Sequence, residues 1–127
     1  MHLLQAHQHI SRPEGVHVLE LANDTDPREL ALGDVERIDL HFPSFTDGRA
    51  HSQAFLLRRR LGFAGELRAT GDVLVDQIPL LARNGFTHAV LRADQDLAAA
   101  QRELARFAGY YQGDAVQPRP RFAEVNR

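Results

Sequence analysis

Gly65-Glu66-Leu67-Arg68-Ala69-Thr70-Gly71-Asp72-Val73-Leu74-Val75-Asp76-Gln77 passes from strand to helix inside one short run. Glu66 and Arg68 alternate with Leu67 and Ala69, the period of a strand with one polar face. Residues 65–69 are therefore read as a strand and 71–75 as a loop. Proline in a helix interior costs about 3 kcal/mol. Pro79 is accommodated if Asp76 is the N-cap and Pro79 lies in the first turn, where its missing N–H matters least. The helix then runs from Gln77 to about Asn84, and Gly85 ends it.

The charged face of this strand bears on the architecture. Central strands of a doubly covered parallel sheet are usually apolar on both faces. Glu66 and Arg68 break that pattern and favour a half-barrel-like sheet over a flavodoxin-like one.

Working outward, His17–Leu21 reads as a first strand and Arg37–Phe42 as a second. Between them Asp26 is a cap candidate, Pro27 suits the first helical position, and Glu29 completes a capping box. Ala50, Ala54, Leu57 and Leu61 recur at helical spacing over residues 49–61, and Gly62 is a natural stop. Phe86–Leu91 is a fourth strand. Leu97, Ala100, Leu104, Phe107 and Tyr111 stripe a last helix over about residues 95–111. Repeated βα units predict an α/β domain with a four-stranded, mainly parallel sheet. Residues 1–15 form an irregular leader, 16–112 the single domain, and 113–127 an extended or disordered tail. Exposed strand edges in such a sheet predict a homo-oligomer.

The chain has 127 residues and a net charge of -2. That balance gives no support for a nucleic-acid surface. No run of 18 apolar residues is present, so no membrane-spanning helix is expected. The N-terminus lacks a secretory pattern, and a cytoplasmic protein is the expectation. Cysteine is absent, which removes disulfides, thiol nucleophiles and thiolate metal sites supplied by this chain. All 15 basic residues are arginines, so there is no Schiff-base or P-loop lysine.

In a parallel sheet the C-terminal ends of the strands share one side, where ligands bind. That rim collects Asn23 and Asp24, Ser44 to Arg49, Thr70 to Gln77, and Arg92 with Asp94. Asp47, Arg49, Arg68, Asp72, Asp76 and Gln77 are the candidate ligand-binding residues. Arginine forks and helix N-termini favour a small anion or a phosphorylated compound. Asp47, Asp76 and Asp94 also sit where helices start and can serve as caps. Glu66 and Arg68 can form a structural ion pair with neighbours.

Other features carry less. His2, His7 and His9 form no metal motif and read as a solvated leader. His41, His51 and His88 are scattered, with His51 the best placed for acid–base work. Arg58-Arg59-Arg60 reads as a solvated helix face. No nucleophile elbow and no Gly-x-Gly-x-x-Gly fingerprint occurs.

Four segments together resemble a known family. They are Phe42-Pro43-x-Phe45-x-Asp47-Gly48-Arg49, the stretch from Gly65 to Gln77, Arg83-x-Gly85-Phe86, and Tyr111-Gln112. The family is the bacterial domain-of-unknown-function family nine hundred thirty-four, often labelled oxidoreductase, and the resemblance covers about residues 16–112. It implies a neighbourhood of assimilatory sulfite reductase, and sulfite reductase components as partners. The chain departs from the family at Ala50-His51, where a glycine and an aromatic are usual. Asn84 replaces a common cysteine and Pro79 an aromatic. No flavin, haem or nicotinamide site is legible, and the cofactor is left open. Three readings follow: an accessory protein of sulfite reduction, a stand-alone enzyme on an anionic metabolite, and a structural oligomer.

Overall fold

The computed structural model describes residues 1–114, with side chains to Arg106. The sheet has five parallel strands, one more than the sequence predicts: β1 (His2–Leu4), β2 (Val18–Leu21), β3 (Arg37–Phe42), β4 (Glu66–Gly71) and β5 (His88–Val90). Their spatial order is β1-β5-β4-β3-β2. The extra strand comes from the predicted irregular leader. His2 N–H donates to Thr87 O at 2.8 Å and Leu91 N–H to Leu4 O at 2.8 Å. Three residues are too few to show a period, and the partner strand, β5, is far away in sequence.

Strands β2 to β5 step across the sheet in one direction. Right-handed crossovers in such a series place the connecting helices on the same face, as in a barrel wall, and the last helix joins them there through Ala100 in the shared core. These are α1 (Arg49–Phe55), α2 (Ile78–Arg83) and α3 (Leu97–Asp114). Ile38, Leu40, Phe42, Leu67, Ala69, Ala89 and Leu91 form a single core with Ala54, Leu57, Ile78, Leu81 and Ala100. The expected helix after Asp26 is a single 3-10 turn, Pro27–Glu29. There Asp26 accepts the Arg28 N–H at 3.0 Å and no capping box forms.

The other sheet face carries the polar residues. Because β1 and β2 occupy opposite edges, residues 5–17 must cross this face, a span of about 19 Å over four strand spacings. Arg37 fastens the crossing: its Nη2 donates to Ile10 O at 2.8 Å.

The three arginines after Leu57 are not equivalent. Helix α1 continues as a π turn over Leu56–Arg60, with Leu61 N–H reaching Leu56 O at 2.9 Å. Arg58 is half-buried and donates to Gly85 O at 2.9 Å and to Phe63 O and Gly65 O at 2.8 Å each. It closes the N-terminal end of the sheet, correcting its reading as a solvated residue. Gly85, at φ 95°, leaves it room: a Cβ there would meet Arg58 Cγ at 2.8 Å.

Candidate functional site

The loops after the strands do gather along one rim, through side-chain bonds in strand order. Asn23 Nδ2 donates to Asp47 Oδ2 at 2.6 Å. Asp47 also takes the Arg49 backbone N–H at 3.0 Å and the Arg49 guanidinium at 2.7 Å. These donors, Arg49 first, hold the Asp47 carboxyl down at about 2. Asp72 accepts the Phe45 N–H at 2.7 Å and pairs with Arg92, and both bonds lower its pKa. Arg92 reaches Asp94 as well, through Nε at 2.7 Å and Nη2 at 2.8 Å. Gln77 Oε1 accepts the Leu74 N–H at 2.7 Å, and its Nε2 donates to Phe45 O at 3.1 Å.

Asp47, Arg49, Asp72 and Gln77 therefore meet on the rim. Asp76 is exposed in the 3-10 turn Val75–Gln77, and Gln77 closes that turn in its place. Asp94 is likewise no cap; Asp96 accepts the Ala98 N–H at 3.1 Å ahead of α3.

Arg68 lies elsewhere. It sits mid-strand on the polar sheet face, with Nε on Glu66 Oε2 at 2.7 Å, in a structural ion pair. Register places it in a row across all five strands: Glu20, Asp39, Arg68, His88 and His2. Arg37 grips Asp39 with two bonds of 2.8 Å, and both side chains are almost wholly buried. His9, read from sequence as solvated, drops onto this row, 3.0 Å from Arg68 and 3.9 Å from Asp39. Burial lowers its pKa. Burial likewise pushes His88 down to about 4, despite Glu66 Oε2 at 3.3 Å.

His51 is a packing residue. It lies edge-on to Phe42 and Phe86, at 5.1 and 6.1 Å between centroids, and burial lowers its pKa. Asn84 Nδ2 donates to its Nδ1 at 2.9 Å. Two of the three departures that the resemblance implies, His51 and Asn84, are thus in direct contact.

A model of the family described as "Bacterial protein of unknown function (DUF934)" matches residues 18–122. The chain belongs to that family. No curated protein and no solved structure matches it. The match to DUF934 carries no activity. Phe45 and Arg92 lie on the predicted rim of this DUF934 protein but outside its six candidate ligand-binding residues, and of the cross-strand row only Arg68 is among the six. Phe45 was visible as an aromatic inside a turn-rich segment. The row needs the strand register, which no local pattern supplies. Among the described residues no group of three His, Asp or Glu is placed to hold a metal ion. No described helix is long and apolar enough to cross a membrane.

Proposed function

We propose that this DUF934 protein is a docking module whose rim engages a protein partner through Phe45. One observation carries the reading: Phe45 is 50% exposed while its backbone is held at both N–H and C=O by Asp72 and Gln77. A large apolar side chain offered to solvent on a fixed backbone is the arrangement of an interface anchor. Arg49 and Arg92 flank it, and arginine and aromatic residues dominate interface energetics.

Docking accounts for the rim better than anion capture. Arg49 already spends its fork on Asp47, and Arg92 is shared between Asp72 and Asp94. A free anion would have to displace a tethered carboxylate. The neighbourhood implied by the family resemblance makes a component of assimilatory sulfite reduction the proposed partner. Exposed aspartate–arginine pairs suit a partner surface of mixed charge.

The test is direct binding of the purified chain to the sulfite reductase haemoprotein, with Phe45→Ala as the control. The reading expects association that Phe45→Ala weakens at least about tenfold, the loss of one anchor. It also expects impaired growth on sulfate when the chain is deleted. Absence of association together with normal growth overturns it. A concentration-dependent self-association that Phe45→Ala abolishes would replace the partner with a second copy.

A further inference from the structure

The row across the polar face opens into a cleft that the rim does not use. It has a volume of about 280 Å³ and is lined by His9, Glu20, Ala22, Asp39, His41 and Thr70. That lies just below the roughly 300–1,000 Å³ of small-molecule sites. It sits towards the C-terminal ends of β2, β3 and β4, where parallel α/β folds place their ligands.

Each wall has a local cause. Register sets Glu20 beside Asp39 as the floor and His41 beside Thr70 two residues on. Ala22, after β2, leaves space at that second level. The strap over the face supplies His9 as roof, fixed by Arg37 and Arg68. His41 leans on Gly71: a Cβ there would lie 2.7 Å from His41 Cε1. Only glycine lets that imidazole stand where it does.

The charges decide what fits. Arg37 is spent on Asp39 and the strap, and Arg68 on Glu66 and His9. No lining residue is a lysine or arginine. Glu20 and Asp39 contribute carboxylates, and Asp39 keeps lone pairs beyond the two that Arg37 occupies. Burial favours the neutral form of His9. The chain itself shows the preference: Arg12, 82% exposed, reaches Glu20 at 3.4 Å. So loose a surface pair contributes little and yields readily to a better-buried cation.

From this geometry we infer that the cleft binds a small cationic metabolite, with an ammonium or guanidinium group on Glu20 and Asp39 and a polar end on Thr70 and His41. This is a ligand of opposite sign to the anion expected from sequence at the rim.

The experiment is an amide-resolved NMR titration of the full chain with agmatine and with ethanolamine, against sulfite and glycerol. Millimolar agmatine or ethanolamine is expected to shift the amides of Glu20, Ala22, His41 and Thr70. Glu20→Gln keeps the shape and removes the charge, and should weaken binding at least about tenfold, as for loss of a charge-assisted bond. Thr70→Val should weaken it about threefold, while Phe45→Ala should leave it unchanged. Retention of binding in Glu20→Gln overturns the inference. So does a response to sulfite or glycerol that matches the response to the amines, and so does silence of the cleft amides towards both amines. Failure of rim docking with an intact cleft response would leave this inference standing.

Discussion

Asp72 Oδ2 accepts the backbone N–H of Phe45 at 2.7 Å, tying the loop after β4 to the loop after β3. The bond runs from a carboxylate that also holds Arg92, so one side chain orders two neighbouring loops. Asp72→Asn keeps the size and loses the charge that both donors seek. Hydrogen exchange of the Phe45 amide should then accelerate, and affinity for a rim partner should fall towards that of Phe45→Ala. Global unfolding should hardly move, because the side chain lies at the surface. An unchanged Phe45 exchange rate would show that the loop is ordered by other contacts.

Gly71 tests the wall shared by β4 and the cleft. Its φ of 91° is strained for any L side chain, and an added Cβ would collide with Phe42 O and the His41 ring. Gly71→Ala should destabilise by at least about 2 kcal/mol, combining strain and overlap. Gly33, whose added Cβ meets nothing within 4 Å, is the control. Gly33→Ala should stay within about 0.5 kcal/mol of wild type in urea denaturation, as surface changes do.

The alternation Glu66-Leu67-Arg68-Ala69 was readable as a one-faced strand because side-chain period depends only on local geometry. Arg37–Phe42 was readable for the same reason, and its span is matched by β3. Strand β1 was not, since three residues gain their order from β5 alone. The rim residues were partly readable: loops after parallel strands share a side whatever their sequence. Which carboxylate caps and which pairs was not, because that choice turns on ångström-scale reach. Asp76 and Gln77 are neighbours, yet only Gln77 closes the turn. Arg58 is misread from sequence because its side chain, on a π turn, meets carbonyls beyond the helix end, Phe63 O and Gly65 O, and the distant Gly85 O.

Acid should weaken the fold in two separate windows. His88 titrates at about 4 in the folded state against an ordinary value of 6.5, and burial is the main cause. The unfolded chain therefore takes up a proton between these values that the folded chain refuses. Stability present above pH 6.5 is lost as pH falls towards 4. His9 and His51, both lowered, add to the same slope. Asp47 and Asp94, each held at about 2 mainly by an arginine side chain, act lower, as pH falls from 3.8 towards 2. His88→Gln should flatten the melting-temperature profile between pH 6.5 and 4 and leave the lower window unaltered. A profile equally steep in His88→Gln would assign the upper window to His9 and His51.

Arg37 and Asp39 form an ion pair with both side chains about 5% exposed, beneath the strap. A buried pair contributes little net stability compared with apolar side chains, but breaking it strands a charge. Asp39→Ala should therefore cost about 3–5 kcal/mol, since it leaves the guanidinium uncompensated. The double replacement Arg37→Met with Asp39→Leu should cost much less than Asp39→Ala alone. It should still release the strap, because Ile10 O loses its donor. Urea denaturation would measure the first effect, and proteolysis within residues 5–17 the second. If the double variant is as unstable as Asp39→Ala, the strap itself carries the stability of this face. If the strap stays protected, its anchor is the contact of His9 with Arg68.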